Sequence, residues 1–245
     1  MRKICIFILS IIFLALVGCD NNSQKIMDNI NRISEEIIQD SFFVKVVYYK
    51  ETGIIKKPIS EYSVGSAVLL YADTTYYYLV TNKHVIYARD KEYDSFDISV
   101  TDYKDYTYEA NLFYQDESHD LIVMRFKRDL NRSYELNVIL SERKPKGKEV
   151  LYAIGMPLGA HNAVTVGYYI ETCKLENEYG EKANYYVHSA ILNHGNSGGM
   201  LLDSSLALIG INTIALSDEN YGGAIPNTEV YTFLVNAGLI SEEDK

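Results

Sequence analysis

The spacing of hydrophobic residues divides this 245-residue chain into regions of different predicted structure. Between residues 24 and 40, four isoleucines recur every three or four positions, at Ile26, Ile30, Ile33 and Ile37. That spacing puts them on one face of a helix, with acids and amides on the other face. We therefore expect an amphipathic N-terminal helix that covers part of the folded domain.

After residue 41 the hydrophobic pattern changes from a helical to a β-type spacing. Runs rich in valine, isoleucine and tyrosine alternate with turn-forming segments. Many short strands at close spacing predict an all-β sandwich or barrel pair, and the lack of helical patterns between them argues against a parallel α/β sheet. The runs predict eleven strands, over residues 42–49, 62–71, 75–81, 96–101, 106–114, 120–126, 148–154, 163–175, 184–190, 199–203 and 206–214.

A second amphipathic helix is predicted close to the C-terminus. Asn227 or Thr228 can cap its first turn, and Gly238 suits its end. No repeat and no second domain is indicated, so we expect one folded domain over residues 42–245. The apolar stripe of this helix consists of Val230, Phe233, Leu234 and Ala237.

The first nineteen residues have the pattern of an export signal. Two basic residues precede an apolar stretch over 4–17, which ends in Leu16-Val17-Gly18-Cys19. The ending resembles a bacterial lipobox, in which cleavage precedes a cysteine that receives lipid. We therefore expect a lipoprotein signal peptide over residues 1–18, lipidation of Cys19, and a tether with the N-terminal helix over residues 19–41. The domain would then lie on the extracytoplasmic face of a membrane in the bacterial envelope; an uncleaved N-terminal anchor is the alternative.

Charge and cysteine content narrow the function classes further. Without the two basic residues of the signal, 21 basic residues stand against 33 acidic ones, a net charge near −12. Such a surface repels phosphate backbones and argues against nucleic-acid binding. With Cys19 lipidated, Cys173 has no partner for an intrachain disulfide in the mature chain. A buried structural thiol is a simpler interpretation of Cys173 than a catalytic one.

The segment Gly195-Asn196-Ser197-Gly198-Gly199 carries the strongest candidate chemistry. Glycines on both sides of a serine allow a sharp turn and leave room for a substrate carbonyl. Backbone amides beside that serine can then donate to a developing oxyanion. The alternative is a glycine-rich turn between two strands with no chemical role.

A serine nucleophile needs a base, and the base needs a partner that fixes its tautomer. Among five histidines, His84 stands where an apolar strand ends, so its ring can be held firmly and still face a cleft. Asp120 opens an apolar run, where partial burial calls for a partner such as an imidazole N–H. A surface histidine and a solvent-facing acid are the alternatives. His188 and His194 lack a third ligand at a suitable spacing, so we expect no metal site.

Three sequence blocks resemble those of the trypsin-like serine peptidases, in the same order. They are Thr81-Asn82-Lys83-His84-Val85, His119-Asp120-Leu121-Ile122-Val123 and the glycine-flanked serine segment. The closer likeness is to the HtrA/Deg branch, whose histidine block follows a strand like Gly65-Ser66-Ala67-Val68. The likeness runs from about Phe42 to the final helix, and further matching blocks lie at residues 153–159, 208–213 and 223–226.

The resemblance implies a fold and a mechanism. The fold is two six-stranded antiparallel β-barrels with the cleft between them, with a helix at each end of the chain. Ser197 would be the nucleophile, His84 the general base and then acid, and Asp120 the carboxylate that orients the ring. The amides of Gly195 and Ser197 would form the oxyanion hole, and no cofactor is implied.

The resemblance also implies a function. We expect a membrane-tethered serine endopeptidase that cleaves proteins or peptides, with a role in extracytoplasmic protein quality control. A catalytically silent or latent scaffold that binds peptides is the alternative. Assembly of three chains, as in many relatives, stays open. Only seven residues follow the final helix, so we expect a branch without the PDZ domain.

Specificity and control give two further expectations. Leu192, Ile214 and Ala224 fall near segments that line the first specificity pocket in relatives, and no nearby acid would attract Arg or Lys. We therefore hypothesise a small or medium apolar side chain before the cleaved bond. Asn196 stands where digestive relatives usually have an Asp that pairs with a new N-terminus, so we expect control by loop ordering, around 156–163 and around 191–196, instead.

Overall fold

The computed structural model of the protein describes residues 21–52, 55–87, 92–129, 131–156, 163–176, 180, 182–216 and 221–241. Within these residues the chain folds into two closed antiparallel β-barrels, so the predicted all-β double barrel is confirmed. The predicted signal peptide, Cys19 and nearly all of the loop around 156–163 lie outside the described residues.

The first barrel closes through the strand order β1-β2-β3-β6-β5-β4. Along β1, Phe42, Val44, Val46 and Tyr48 are fully buried and alternate with more exposed residues, as the two-residue period of a strand requires. The inward-facing side chains fill the barrel instead of leaving a channel. The strands are β1 (Ser41–Thr52), β2 (Ile55–Ala72), β3 (Tyr76–Thr81), β4 (Ser95–Thr101), β5 (Thr107–Gln115) and β6 (Ile122–Lys127).

The second barrel closes through the order β10-β11-β12-β9-β8-β7. A smaller apolar cluster fills it, built around Leu151, Tyr186, Leu201 and Ile209. The strands are β7 (Val150–Gly155), β8 (Ala163–Glu176), β9 (Lys182–His188), β10 (Met200–Leu202), β11 (Leu208–Leu216) and β12 (Tyr221–Pro226).

A third apolar cluster joins the two barrels. Val80 and Val123 from the first barrel and Met200 and Ile211 from the second belong to it, and each is almost completely buried. Because burial of such side chains is the main source of stability, this cluster fixes one barrel against the other. The rims that carry the candidate residues are therefore held in register.

Three α-helices complete the described fold: α1 (Asn21–Glu35), α2 (Lys83–Ile86) and α3 (Asn227–Asn236). The expected N-terminal helix is shorter than predicted, because a separate 3₁₀ turn follows α1 at Ile37–Asp40. There the Asp40 carboxylate accepts the amides of Asn137 and Val138, each at 2.7 Å. Within the described residues no helix has both the length and the hydropathy needed to span a bilayer.

Strand β12 was absent from the sequence expectation. Its sequence contains Gly222 and Gly223, and glycine is depleted in strands, so the hydrophobic pattern alone misses it. The structure pairs this strand with β11 on one side and with β9 on the other. Without β12 the second barrel would not close.

Candidate active site

Helix α2 holds His84 at the end of β3. Asn82 precedes the helix in an extended conformation and is fully buried. Its side-chain amide donates to the Asp120 carbonyl oxygen at 2.9 Å and to the Thr213 hydroxyl at 3.0 Å. One buried amide therefore ties the histidine segment both to the loop before β6 and to β11 of the second barrel.

The carboxylate of Asp120 contacts His84 twice. Its Oδ2 lies 2.7 Å from the ring Nδ1, and its Oδ1 accepts the His84 backbone N–H at 3.0 Å. The Asp120 side chain is 2 % exposed and the His84 side chain 12 %, so little water competes with either bond. Donation from Nδ1–H to the carboxylate fixes the tautomer in which Nε2 of the neutral ring carries a lone pair.

Ser197 occupies a tight turn between β9 and β10. Its hydroxyl donates to the Thr213 carbonyl oxygen at 3.3 Å, while its own carbonyl oxygen accepts the Ser66 amide at 2.8 Å. Thr213 thus contacts Ser197 through its carbonyl and Asn82 through its hydroxyl. This path brings the serine from the second barrel to the His84–Asp120 pair of the first.

The amides around Ser197 fall into two groups. Those of Asn196, Gly198 and Gly199 donate to backbone carbonyls within the turn or on β11, at 2.8–3.0 Å. The amides of Gly195 and Ser197 donate to no carbonyl within the described part of the chain. An oxyanion hole needs such a pair of uncommitted donors beside the nucleophile.

The conformation of this turn is enforced by its surroundings. Gly195 (φ +98°) and Gly198 (φ +85°) lie in the left-handed region that favours glycine. A Cβ on Gly198 would overlap the Ser66 carbonyl oxygen and the Thr81 hydroxyl. The Ser66 hydroxyl donates to the Gly195 carbonyl at 2.6 Å and accepts the Met156 amide at 2.8 Å. Strand β2 therefore clamps the turn from the first barrel.

Comparison with known proteins agrees with this geometry. A family model described as a trypsin-like peptidase domain matches residues 65–211, more than half of the chain. The chain belongs to the trypsin-like peptidase family. The matched span includes the His84, Asp120 and Ser197 positions and both barrels' contributions to the site.

Curated relatives lie in the HtrA group. The chain is 27 % identical over 217 residues to serine protease HTRA1B of Danio rerio, covering 86 % of this chain and 41 % of that protein. It is 32 % identical over 147 residues to serine endoprotease DegS of Escherichia coli K12, covering 59 % and 39 %. It is 30 % identical over 173 residues to a probable periplasmic DegP-like serine endoprotease of Buchnera aphidicola, covering 69 % and 34 %. The chain thus spans less than half the length of each.

The structure gives the surroundings of the three residues expected to line the specificity pocket. Leu192 lies over Gly222, beside the ring of His188. Ile214 packs near Tyr185 on the opposite face of β12, and Ala224 is fully buried in the interior cluster of the second barrel. Leu192 packs against that same cluster, and the assignment of the three residues to a specificity pocket stays a prediction.

Sequence reasoning missed residues whose partners are distant in the chain. Ser66 and Asn82 were quoted as parts of matching blocks, but their bonds to Gly195 and Thr213 cross about 130 positions. His188 was considered only as a metal ligand. The sequence feature that could have identified His188 is its position at the end of an apolar run shortly before Ser197.

Two other candidate residues have structural explanations. Cys173 on β8 is half-buried instead of fully buried, and burial, followed by the neighbouring Glu171, raises the pKa of its thiol. A protonated thiol is a poor nucleophile, so no catalytic role follows. Asn196 is buried, and its backbone amide donates to the Asn193 carbonyl within the turn.

Proposed function

We propose that this protein is a serine endopeptidase that works through an acyl-enzyme. The observation that carries the proposal is the pairing of a buried Asp120 carboxylate with His84 through both the ring and the backbone. A carboxylate in that place orients the imidazole and stabilises the imidazolium that forms during reaction. The glycine-enforced turn supports the other half of the proposal, because it presents Ser197 beside two uncommitted amides.

The reaction follows from these roles. His84 Nε2 takes the proton of the Ser197 hydroxyl while Oγ attacks the substrate carbonyl, and the developing oxyanion accepts the amides of Gly195 and Ser197. The imidazolium then gives its proton to the leaving amine, and the C–N bond breaks. Water, activated by the same ring, attacks the ester and releases the acid. Each proton is returned, and no group beyond these residues is needed.

Cleavage of an unfolded protein tests this proposal. We expect the wild type to degrade reduced, alkylated casein and Ser197→Ala to leave it intact with an unchanged unfolding midpoint. Ser189→Ala is the matched control, because Ser189 lies on the same loop and its hydroxyl accepts the Tyr168 amide at 2.9 Å. Equal degradation by Ser197→Ala and the wild type would exclude the mechanism. Inactivity of a folded wild type would favour the peptide-binding scaffold.

We further propose that the peptidase is a lipoprotein tethered to the extracytoplasmic face of a bacterial membrane, where it removes damaged proteins. The support is the lipobox-like ending at Cys19, after which α1 begins two residues later. Helix α1 is attached to the second barrel, since Asn29 donates to the Tyr152 hydroxyl and to the Ser204 carbonyl, both at 3.1 Å. A short tether would therefore keep the domain close to the lipid.

Fatty-acid labelling in cells tests the tether. An alkyne-tagged fatty acid should label the wild type, and the protein should fractionate with membranes. Cys19→Ser should lose the label, whereas Cys173→Ser should retain it as the matched cysteine control. Equal labelling of Cys19→Ser and the wild type would contradict the proposal.

A further inference from the structure

The side chain of His188 is buried, and among the described residues its ring nitrogens lack a hydrogen bond of normal geometry. It ends β9 and is fully inaccessible, although the Ala190 backbone lies close enough to interact with the ring. Native proteins contain few such groups, because a buried polar atom without a partner lowers stability. A histidine retained in this state calls for a use that the folded chain alone does not supply.

The position of His188 connects it to the candidate active site. Gly222 on β12 pairs with His188, and Ala215 on β11 pairs with Gly222. Two residues before Ala215, the carbonyl of Thr213 accepts the hydroxyl of Ser197. Strands β12 and β11 therefore connect the position of His188 to the residue that holds the Ser197 hydroxyl.

The orientation of the ring points its polar edge into this region. A Cβ on Gly222 would overlap Cε1 of His188, which is the carbon between the two ring nitrogens. The same Cβ would lie 2.8 Å from both Cγ and Cδ1 of Leu192. Cε1 of His188 thus packs against Gly222 with the end of the Leu192 side chain beside it, so the edge that carries both nitrogens lies where Gly222 and Leu192 meet.

The charge state of the ring limits what it can recognise. Burial lowers the pKa of His188 to about 4, and the backbone of Ala190 opposes this only in part. At neutral pH the ring is uncharged, so one nitrogen donates a hydrogen bond and the other accepts one. A carboxylate gains most from a protonated ring, and an ammonium group would add an unpaired charge to an apolar site. An uncharged group that donates and accepts fits better.

We propose that His188 is a specificity-determining residue that selects an uncharged, hydrogen-bonding side chain, such as that of Thr, Asn or Gln, at the residue before the cleaved bond (P1). The inference rests on the proposed peptidase function and names the substrate class of the same site. It differs from the expectation of an apolar P1 residue, which remains the alternative that the experiment below distinguishes. The proposal requires the Leu192 side chain to rotate so that the P1 group reaches the imidazole edge.

Peptide binding tests the proposal without requiring turnover. Ser197→Ala is used as the host, and dissociation constants are measured by calorimetry for peptides that differ only at P1, in the near-isosteric pairs Thr/Val, Asn/Leu and Gln/Met. We expect the polar member to bind about tenfold more tightly in each pair, as one buried hydrogen bond allows. Gln should also bind more tightly than Glu.

Matched variants separate recognition from a merely structural role. In Ser197→Ala/His188→Leu the ratio within each pair should fall to about one, whereas His188→Gln, which keeps a donor and an acceptor, should retain part of the preference. The same Thr/Val exchange two residues before the cleaved bond is the control, and it should be insensitive to His188. Thermal melts establish that each variant is folded.

The outcomes distinguish this inference from the proposed function. Equal affinities within every pair, no binding of any peptide, or a uniform weakening of all peptides by His188→Leu would each overturn the role of His188. A P1 preference in the Ser197→Ala host supports it even if the wild type cleaves nothing, a result that counts against the peptidase. Cleavage by the wild type with no P1 preference contradicts this inference alone.

Discussion

The two barrels contribute unequally to the site. The first supplies His84 and Asp120, whose polar atoms are held by short bonds in a nearly dry setting. The second supplies Ser197 from a turn with two left-handed glycines, and it also contains His188, whose ring nitrogens make no hydrogen bond of normal geometry within the described residues. The hydrogen bonds of the His84–Asp120 pair already exist in the free protein. The Ser197 turn and His188 instead present donors and acceptors that a substrate would engage.

This difference follows from what each half does. An orienting pair acts through fixed distances, so its bonds must exist before substrate arrives. A nucleophile, an oxyanion hole and a specificity pocket act on a ligand, so their donors and acceptors must be uncommitted beforehand. The clamp of Ser66 on Gly195 shows how the first barrel holds the second in this poised state.

The largest expected effect comes from disrupting the His84–Asp120 pair, which should lower kcat. Asp120→Asn keeps a similar shape but offers an N–H or a neutral oxygen to the ring, which favours the wrong tautomer. We expect kcat to fall by roughly ten-thousandfold. Steady-state kinetics on a cleaved peptide measures this, with circular dichroism to verify the fold. A loss below about tenfold would remove Asp120 from the mechanism.

The next effect comes from the enforced turn. Gly198→Ala must adopt φ +85° and also displaces the Ser66 carbonyl and the Thr81 hydroxyl, so we expect a loss of about 4 kcal/mol in unfolding free energy. Gly238→Ala is the matched control, because φ there is +69° but no atom of the described residues lies within 4 Å of the added Cβ. It should cost about 1 kcal/mol. Equal losses in urea denaturation would show that contact with the first barrel does not shape the turn.

The buried, neutral ring of His188 should make the unfolding free energy depend on pH. His188 has a pKa of about 4 in the fold against 6.5 normally, so on acidification the unfolded chain binds a proton first. Stability from this residue is present above pH 6.5 and decreases by about 3 kcal/mol as the pH falls to about 4. His188→Leu should abolish that decrease. Identical pH profiles of unfolding free energy in both proteins would contradict the buried, neutral ring.

Asp40 contributes in the opposite sense and must be separated from this effect. Burial raises its pKa from 3.8 to about 6, against the lowering by the amides of Val138 and Asn137. The folded chain therefore binds this proton first, and stability rises as the pH falls from about 6 towards 4. Comparing His188→Leu with the wild type cancels this term, because both proteins contain Asp40.

The smallest effect concerns the clamp itself. Ser66→Ala removes the hydroxyl that joins the Gly195 carbonyl to the Met156 amide, and the Gly195 peptide then becomes free to reorient. We expect kcat to fall by about 10- to 100-fold, since one misaligned oxyanion donor costs about that much or more. KM should change little. An unchanged kcat would show that the turn holds its conformation without the first barrel.

The sequence predicted the local features and missed those made by distant residues. Alternating burial along β1 and the glycines around Ser197 were evident because neighbours in sequence determine them. The strand at Tyr221–Pro226 was missed because glycine is disfavoured in strands, and the close contact of Gly222 with His188 and Leu192, which leaves no room for a side chain, is not visible in the sequence. The burial of His188 and the bond from Ser66 to Gly195 depend on residues far apart in the chain, which no periodicity encodes.

The central claim, that Ser197 is a nucleophile activated by the His84–Asp120 pair, is tested most directly by a fluorophosphonate probe. The wild-type protein is treated with the probe, digested and mapped by mass spectrometry. The account predicts an adduct on the peptide that contains Ser197 and on no other serine, with labelling slowed strongly by Asp120→Asn. Labelling elsewhere, or a folded wild type that stays unmodified, would contradict it.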